Sequence, residues 1–203
     1  MSARLRRRSY ARGQVIFQEG HQGTALYVIE CGRVKLGLSS PEGKEVIFDL
    51  LGPGDFFGEL ALLDGEPRSA DATALDPCDL LVLDRVGFHQ QLAQQPRMAS
   101  SLLAVLSRRL RRDARLMSDA AFLDVPARLA RVLLNLAESS GHPTSDGVML
   151  DCRLTQTDLA GLVGSSRVSV NKWLQVFCRQ GLITQVRGRV TVRQADRLRE
   201  LLS

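Results

Sequence analysis

The spacing of the hydrophobic residues changes partway along this sequence, so the fold must contain two regions with different secondary structure. From about Val15 to Leu83, apolar residues recur at every second position, which is the period of a β-strand. Glycine and proline turn signals interrupt the pattern at 39–43, 52–55 and 64–67. Strands so close together, joined by turns rather than long helices, indicate an antiparallel barrel or jelly roll. We therefore expect an all-β N-terminal part.

A different period follows between Pro96 and about Phe122. Seam positions follow one another there at spacings of 3 and 4, as in a coiled coil, at Leu103, Leu106, Leu110, Asp113, Met117 and Ala120. Arginines flank this narrow stripe, which predicts one long helix that pairs with its copy in a parallel homodimer. In the alternative interpretation, the stripe packs on the β-part of its own chain.

A hinge is expected after the long helix. Asp124, followed by Val125 and Pro126, is typical of a helix that stops and restarts, with aspartate as the N-cap and proline near the first helical position. The apolar positions Leu129 and Leu133 then predict another amphipathic helix. The stretch 139–143 is rich in serine, glycine and proline, and we expect a loop there.

Two short helices are predicted next. Thr155 and Asp158 form a Thr-x-x-Asp cap before an apolar run, and 164–166 provides a turn. A second helix then places its apolar residues at i, i+3, i+4 and i+7, namely Val170, Trp173, Leu174 and Phe177. Two helices joined in this way predict a helix-turn-helix, whose second helix enters the major groove of DNA.

Arg167 is the strongest candidate for reading a base, because its planar fork can bond guanine O6 and N7 together. Val168 can add only apolar contact, and a tight basic hairpin at 187–189 would reach a phosphate or the minor groove. The candidate DNA-contacting residues are Gln156, Ser166, Arg167, Val168, Ser169, Asn171, Lys172, Arg187 and Arg189. For each basic side chain the alternative is a solvated surface charge, which is the preferred interpretation of Arg193 and Arg197.

Charge and cysteine content limit the function classes. The chain has 27 basic and 22 acidic residues; residues 1–123 hold 16 and 15 of them, and 124–203 hold 11 and 7. The C-terminal part therefore carries most of the positive excess, as suits a polyanion. The four cysteines are scattered without a C-x-x-C pair, which argues against zinc and clustered iron–sulfur sites. No membrane span or signal segment is evident, so a cytoplasmic protein is expected.

A second constellation lies in the β-part. Gly58-Glu59-Leu60-Ala61 is followed six residues later by Arg68-Ser69. A cyclic nucleotide needs a bidentate cation and hydroxyl or amide donors for its phosphodiester, and a carboxylate for its ribose hydroxyl. Arg68 and Ser69 meet the first need, and Glu59 meets the second. Taken alone, these residues would be interpreted as an ordinary surface ion pair.

Four segments of this sequence, 54–61, 67–70, 122–125 and 163–167, resemble segments that occur in the same order in the CRP/FNR family. The resemblance covers nearly the whole chain. The resemblance implies an α+β architecture: a cyclic-nucleotide-binding β-roll effector domain (1–95), a dimerisation helix (96–123) and a winged helix-turn-helix DNA-binding domain (124–203). It further implies a bacterial transcription regulator that partners RNA polymerase and responds to cyclic AMP. No cofactor or metal is expected, because the sequence has no N-terminal cysteine cluster for an iron–sulfur centre, and His21, His89 and His142 form no evident axial pair for haem. The ligand residues implied are Gly58, Glu59, Leu60, Ala61, Arg68, Ser69, Arg109 and Asp113.

The sequence departs from the family at two places. Asp113 and Ala114 replace the Thr-Ser that faces adenine, so a carboxylate would accept from the purine amino group. Asp113 also occupies a seam position, where two copies would repel unless paired with arginine or ligand. We therefore hypothesise that this strain biases the ligand-free dimer against DNA, whereas the alternative is a persistent salt bridge. In the reading helix, Val168 and Lys172 replace a glutamate and an arginine, which predicts a shifted half-site.

Three other functions are considered. An effector-independent activator would have a vestigial or pre-locked pocket. A ligand-sensing module that never touches DNA would leave Arg167 and Lys172 idle. An enzyme would need a nucleophile–base pair, a metal cluster or a phosphate-binding Walker loop, and the sequence contains none of these. We expect no enzymatic activity.

Overall fold

A computed structural model of the chain describes residues 5–41, 43–150, 154–186 and 188–202. Its internal packing divides the protein into two compact units. The first unit comprises residues 1–43 and 47–113, and the second comprises 44–46 and 114–203. Within the described ranges, no helix combines the length and the apolar character needed to cross a bilayer.

Two four-stranded antiparallel sheets form the first unit. Its strands are β1 (Arg6–Tyr10), β2 (Val15–Phe17), β3 (Ala25–Cys31), β4 (Val34–Ser39), β5 (Glu45–Leu51), β6 (Phe56–Phe57), β7 (Asp71–Ala74) and β8 (Cys78–Asp84). The strand orders are β1-β8-β3-β6 and β2-β7-β4-β5. The alternating pattern did not identify β1, because this edge strand is mostly arginine and pairs through its backbone with β8.

Strand β3 is buried on both faces, which explains why both sets of its alternating residues are apolar. Tyr27 and Ile29 lie in the core between the sheets with Phe57. On the opposite face, Leu26 packs with Phe88 in a second cluster that includes Leu83 and Leu102. Helices α1 (Leu60–Leu63), α2 (Arg85–Gln94) and the first part of α3 (Pro96–Phe122) contribute to the packing of this unit.

Helix α3 has the predicted bounds, but its apolar stripe divides between two environments. Leu106 is partly buried against the same cluster as Leu102, as the alternative interpretation of the stripe predicts. Leu103, Leu110 and Met117 remain 65%, 71% and 74% exposed. Because these three are spaced by seven residues, they form one apolar line along the helix. Each interpretation of the stripe therefore describes part of it, and dimerisation stays a prediction.

The described residues of the second unit form a four-stranded sheet, the last part of α3 and four further helices. The helices are α4 (Val125–Ser140), α5 (Gln156–Val163), α6 (Arg167–Arg179) and α7 (Ala195–Glu200), and the strands are β9 (Gly141–Thr144), β10 (Gly147–Leu150), β11 (Ile183–Val186) and β12 (Arg189–Val192). The loop predicted at 139–143 is wrong: α4 continues through Ser140 and β9 begins at Gly141. Strand β9 lies at the sheet edge beside β10, where Pro143 is tolerated.

Capping explains where these helices begin. The Asp124 carboxylate accepts from the Ala127 amide at 3.0 Å, with proline at the start of α4. Thr155 and Asp158 form the reciprocal capping box of α5, as predicted. Gly164 ends α5 with a φ of +63°, a conformation that favours glycine.

The reading helix packs as its periodicity predicts. Val170, Leu174 and Phe177 are almost completely buried, and Trp173 is half-buried beside Phe177. Strands β11 and β12 form the hairpin after α6. A β-rich first unit, a long helix and a winged helix-turn-helix confirm the predicted fold class.

Candidate functional site

The first unit encloses a cavity of about 340 Å³, within the size range of small-molecule sites. All eight residues predicted for the ligand site line it. The wall comprises Phe17, Leu36, Phe48, Asp49, Gly58, Glu59, Leu60, Ala61, Arg68, Ser69, Ala70, Leu106, Arg109, Leu110, Arg112 and Asp113. Residues that are far apart in sequence line the same cavity, because the first part of α3 packs against the β-sheets of this unit.

Arg68 is the most deeply buried cation in this wall. It is 5% exposed, and its guanidinium lies 4.2 Å from the Phe17 ring centroid. Its two terminal nitrogen atoms donate to the carbonyl oxygens of Gly58 and Ala25, each at 2.6 Å. Its Nε atom is buried without a hydrogen-bond partner. Burial lowers the pKa of Arg68, because desolvation disfavours the charged guanidinium.

Gly58 allows this close approach. It adopts a φ of +81°, and a Cβ atom there would lie 2.6 Å from a terminal nitrogen of Arg68. A larger residue would therefore meet both backbone strain and a steric clash. The glycine that sequence reasoning selected has a clear role in seating the guanidinium.

Glu59 faces a cation of α3. Its carboxylate is 2.6 Å from Arg109, and Glu59 itself is 2% exposed. Arg109 also donates to the Phe56 carbonyl oxygen and lies over the Phe56 ring. The predicted pair of ribose acceptor and supporting arginine is thus an ion pair within the protein.

Asp49 and Arg112 were not among the predicted site residues. Asp49 is 4% exposed on β5, and its carboxylate accepts two hydrogen bonds from Arg112, one of them at 2.7 Å. Asp113 lies 3.7 Å from the same guanidinium, and its Oδ1 atom has no hydrogen-bond partner. A charged residue within the apolar run 46–51 was the sequence signal for Asp49, since buried charges are usually paired.

The cavity wall carries both guanidinium groups and carboxylates. Among the described residues, the Nε atoms of both Arg68 and Arg112 are buried donors without acceptors. Leaving such donors unsatisfied costs free energy that an incoming acceptor recovers. Ser69 lies exposed at the wall, where its hydroxyl can donate to the same ligand. The arrangement can bind an anion that also carries hydroxyl or amino groups.

Helix α6 forms the second candidate site. Arg167 and Lys172 are exposed, and Val168 is 80% exposed. The Ser166 hydroxyl accepts from the Ser169 amide at 3.1 Å, so Ser166 serves as the N-cap of this helix. Arg167, Val168 and Lys172 are thus exposed to solvent on α6, whereas Ser169 and Asn171 are partly buried.

Gln156 joins α5 to this surface. Its carbonyl oxygen accepts from Arg167 Nε at 3.1 Å, and its amide nitrogen donates to Asn171 Oδ1 at 3.2 Å. Arg189 is exposed at the start of β12, close to the turn at Gly188. Arg187, the other predicted hairpin cation, lies outside the described residues.

Arg128 links the hinge to the helix-turn-helix, a role that sequence reasoning missed. Its guanidinium donates to the carbonyl oxygens of Leu123 and Val163, both at 2.9 Å. These carbonyls end α3 and α5, where helix dipoles favour a cation. Its position as one arginine in an amphipathic helix gave no signal of this role.

The described residues contain no group of three histidine, cysteine, aspartate or glutamate side chains placed to hold a metal ion.

Comparisons with known proteins assign a domain family to each of the two regions that contain these residues. The family profile of the cyclic nucleotide-binding domain matches residues 7–95, and that of the Crp-like helix-turn-helix domain matches 127–201. A CRP-like cAMP-activated global transcriptional regulator of Mycobacterium tuberculosis is 38% identical over 189 residues, covering 93% of this chain and 84% of the relative.

Solved structures show the same architecture. A CRP/FNR-family transcriptional regulator from Thermus thermophilus is 30% identical, with a TM-score of 0.82 and coverage of 97% of this chain and 98% of the other. The c-di-GMP-responsive global regulator CLP of Xanthomonas campestris is 27% identical, with a TM-score of 0.82 and coverage of 93% of each chain.

Proposed function

This chain belongs to the CRP/FNR family of transcriptional regulators, and from that premise we propose that it is a homodimer that reads near-palindromic promoter DNA under the control of cyclic AMP. The division into an effector domain (1–95), a dimerisation helix (96–123) and a DNA-binding domain (124–203) is part of this proposal. Such a regulator acts in the cytoplasm, contacts RNA polymerase and catalyses no reaction.

The observation that carries the ligand proposal is the buried Arg68 in a cavity shared with Glu59 and Arg109. Its unpaired Nε and the nearby Ser69 hydroxyl suit a cyclic phosphodiester, and the Glu59 carboxylate suits a ribose hydroxyl. The cAMP-activated relative from Mycobacterium tuberculosis supports a cyclic mononucleotide. The c-di-GMP-responsive structural relative makes a cyclic dinucleotide the competing ligand to test.

DNA binding is supported by the exposed cations of α6. Arg167, Lys172 and the other candidate residues would enter the major groove, with Arg189 and Arg187 of the wing near the backbone. The apolar line of Leu103, Leu110 and Met117 supports a second copy of the chain as the partner of α3. A two-fold dimer would place the two reading helices on half-sites about one helical turn apart, roughly 34–36 Å, a general rule for helix-turn-helix dimers.

The Asp113 hypothesis takes a definite form in this cavity. Asp113 Oδ1 has no hydrogen-bond partner, and its nearest cation, Arg112, is already bonded to Asp49. A purine amino group could therefore satisfy it. We expect Asp113→Ala to weaken the dependence of DNA binding on cAMP, and unchanged dependence in an operator-binding titration would contradict the hypothesis.

An effector-independent activator is the second candidate. The ion pairs of Glu59 with Arg109 and of Asp49 with Arg112 favour it, because they hold the cavity cations without a ligand. Operator affinity would then be high in the absence of any nucleotide.

Two measurements test the proposal together. Calorimetry with cAMP, cGMP and c-di-GMP identifies the ligand, and selection of bound sequences from random duplexes, with and without that ligand, identifies the operator. We expect cAMP to bind and to strengthen selection of a near-palindrome. Strong selection without binding of any nucleotide would favour the effector-independent activator. Nucleotide binding without DNA selection would favour a sensing module that acts on proteins.

A further inference from the structure

A polar chain of three side chains connects the two helices of the helix-turn-helix. Arg167 and Asn171 lie one turn apart on α6, and Gln156 of α5 lies between them, bonded to both. We call these three residues the relay. They come from both helices of the motif, so the relay ties the reading side chains of α6 to the helix behind them.

The direction of the hydrogen bonds in the relay is fixed from one end. A guanidinium can only donate, so the Gln156 atom that faces Arg167 Nε must be the carbonyl oxygen. The Gln156 amino group is then the part that faces Asn171, and the Asn171 atom that accepts from it must be Oδ1. Asn171 is therefore held with its amino group, a donor, on the side that the relay leaves open.

Arg167 is oriented in the same way. Its Nε atom is used by Gln156, and among the described residues its terminal nitrogen atoms make no hydrogen bond. The relay thus leaves both terminal donors of Arg167 and the amino group of Asn171 for DNA. Two neighbouring reading groups on one face of α6 both require acceptors.

We propose that the relay makes Asn171 a specificity-determining residue that accepts guanine, thymine or adenine and rejects cytosine at the base pair beside the one read by Arg167. In the major groove, guanine O6 and N7, thymine O4 and adenine N7 are acceptors, whereas cytosine presents only its amino group. An asparagine free to rotate could bond either kind, but the relay removes that freedom. This inference rests on the proposed DNA-binding function.

Reversing the polarity at Asn171 is the sharpest test. Asn171→Asp keeps an oxygen for the Gln156 amino group but presents a second oxygen, an acceptor, to DNA. We expect this variant to accept cytosine, which the wild type rejects, and to lose guanine and thymine, with the base pair read by Arg167 unchanged. Gln175→Glu is the matched control, because it adds the same charge to an exposed position one turn further along α6. It should lower affinity for all sequences alike.

A second variant tests the restraint itself. Gln156→Met removes both hydrogen bonds of the relay and keeps a side chain of similar length. Without the relay Asn171 can rotate, and we expect discrimination at its base pair to fall about 3- to 10-fold, the effect of one lost hydrogen bond. Arg167→Lys locates the base pair read by Arg167, and therefore its neighbours.

The measurement is selection from random duplexes followed by fluorescence anisotropy with four duplexes that differ at the one base pair. The proposal is overturned if Asn171→Asp still rejects cytosine, or if Gln156→Met leaves discrimination intact. A wild-type protein that selects no sequence at all would overturn the DNA-reading function as well. A wild-type protein that selects an operator, with variants that select the same one, would overturn only the relay.

Discussion

Arg68 combines burial, charge and an unused donor in one side chain. Two of its nitrogen atoms are committed to backbone carbonyls and its face to Phe17, so the guanidinium is held rigidly in the wall. Its third nitrogen atom, Nε, is buried without an acceptor within the described protein. We expect a residue placed in this way to serve both stability and ligand binding, and suitable variants can separate the two roles.

Replacing Arg68 with lysine separates charge from geometry. Arg68→Lys keeps the positive charge but loses the fork that reaches two carbonyls, so we expect cAMP affinity to fall at least about 10-fold and unfolding free energy by about 1–3 kcal/mol. Arg85→Lys is the matched control, because Arg85 donates to the carbonyls of Gly23 and Ala61 but does not line the cavity. It should lose stability without losing ligand affinity. Calorimetry and urea unfolding measure the two effects, and equal affinity losses would argue against the ligand role.

Cys78 gives the protein a dependence on alkaline pH. The residue is 2% exposed, and burial raises the pKa of its thiol. Above the ordinary thiol pKa, the unfolded chain loses this proton while the native state keeps it, so the unfolding free energy falls as pH rises. Burial raises the pKa of Tyr27 too, and that shift acts in the same direction at higher pH.

We therefore expect stability to decline from about pH 9 upward. Cys78→Ala should show a shallower decline, because one of the contributing protons is removed. Urea unfolding between neutral pH and about pH 10.5 measures both slopes, and identical slopes would contradict the assignment. In the native state, alkylation at Cys31, which is exposed, serves as the reference for the protection of Cys78.

Helix α3 shows which structural features a sequence pattern predicts and which it does not. Its period predicted the helix and its bounds, because the spacing of apolar residues along a helix is set locally. Which seam residues face the β-part depends on tertiary packing, and there Leu106 turned inward while Leu103 and Met117 stayed exposed. The sequence did not predict strand β1 or the role of Asp49 in the cavity wall, for a related reason. Their places depend on distant partners, β8 and Arg112, rather than on their neighbours in sequence.

The exposed apolar line of Leu103, Leu110 and Met117 on α3 predicts which substitutions disrupt the dimer. Leu103→Glu combined with Met117→Glu places charges on that line, so we expect the dimer to dissociate. Because the two DNA-binding domains then bind separately, operator affinity should fall about 100-fold or more. Ser101→Glu, an exposed position on the other side of the helix, should change neither property.

Sedimentation equilibrium and operator titration check both effects. A double variant that remains dimeric would place the interface elsewhere, and a monomer that keeps full operator affinity would remove the need for a dimer in DNA reading.

At the scale of the whole molecule, the proposed control requires that ligand and DNA affinities be coupled. The cavity includes Arg109, Arg112 and Asp113 of α3, and the end of α3 is held by Arg128 through the Leu123 carbonyl. Arg128 also holds the end of α5, just before the reading helix. Under the proposed control, we expect a ligand-dependent change to reach α6 through the covalent continuity of α3 and through this guanidinium. Coupling must be reciprocal: the factor by which cAMP raises operator affinity equals the factor by which operator raises cAMP affinity.

The last prediction concerns that factor. Typical coupling is about 5- to 150-fold, and we expect Arg128→Met to lower it several-fold, because the guanidinium that bonds the ends of both α3 and α5 is removed. The cAMP affinity measured without DNA should stay unchanged, since Arg128 does not line the cavity. Arg199→Met is the control: it removes a surface ion pair with Glu138 in the same unit, and its coupling should equal that of the wild type. Calorimetry with and without operator measures the factor from both directions. A full wild-type factor in Arg128→Met would mean that α3 and the reading helix communicate by another route.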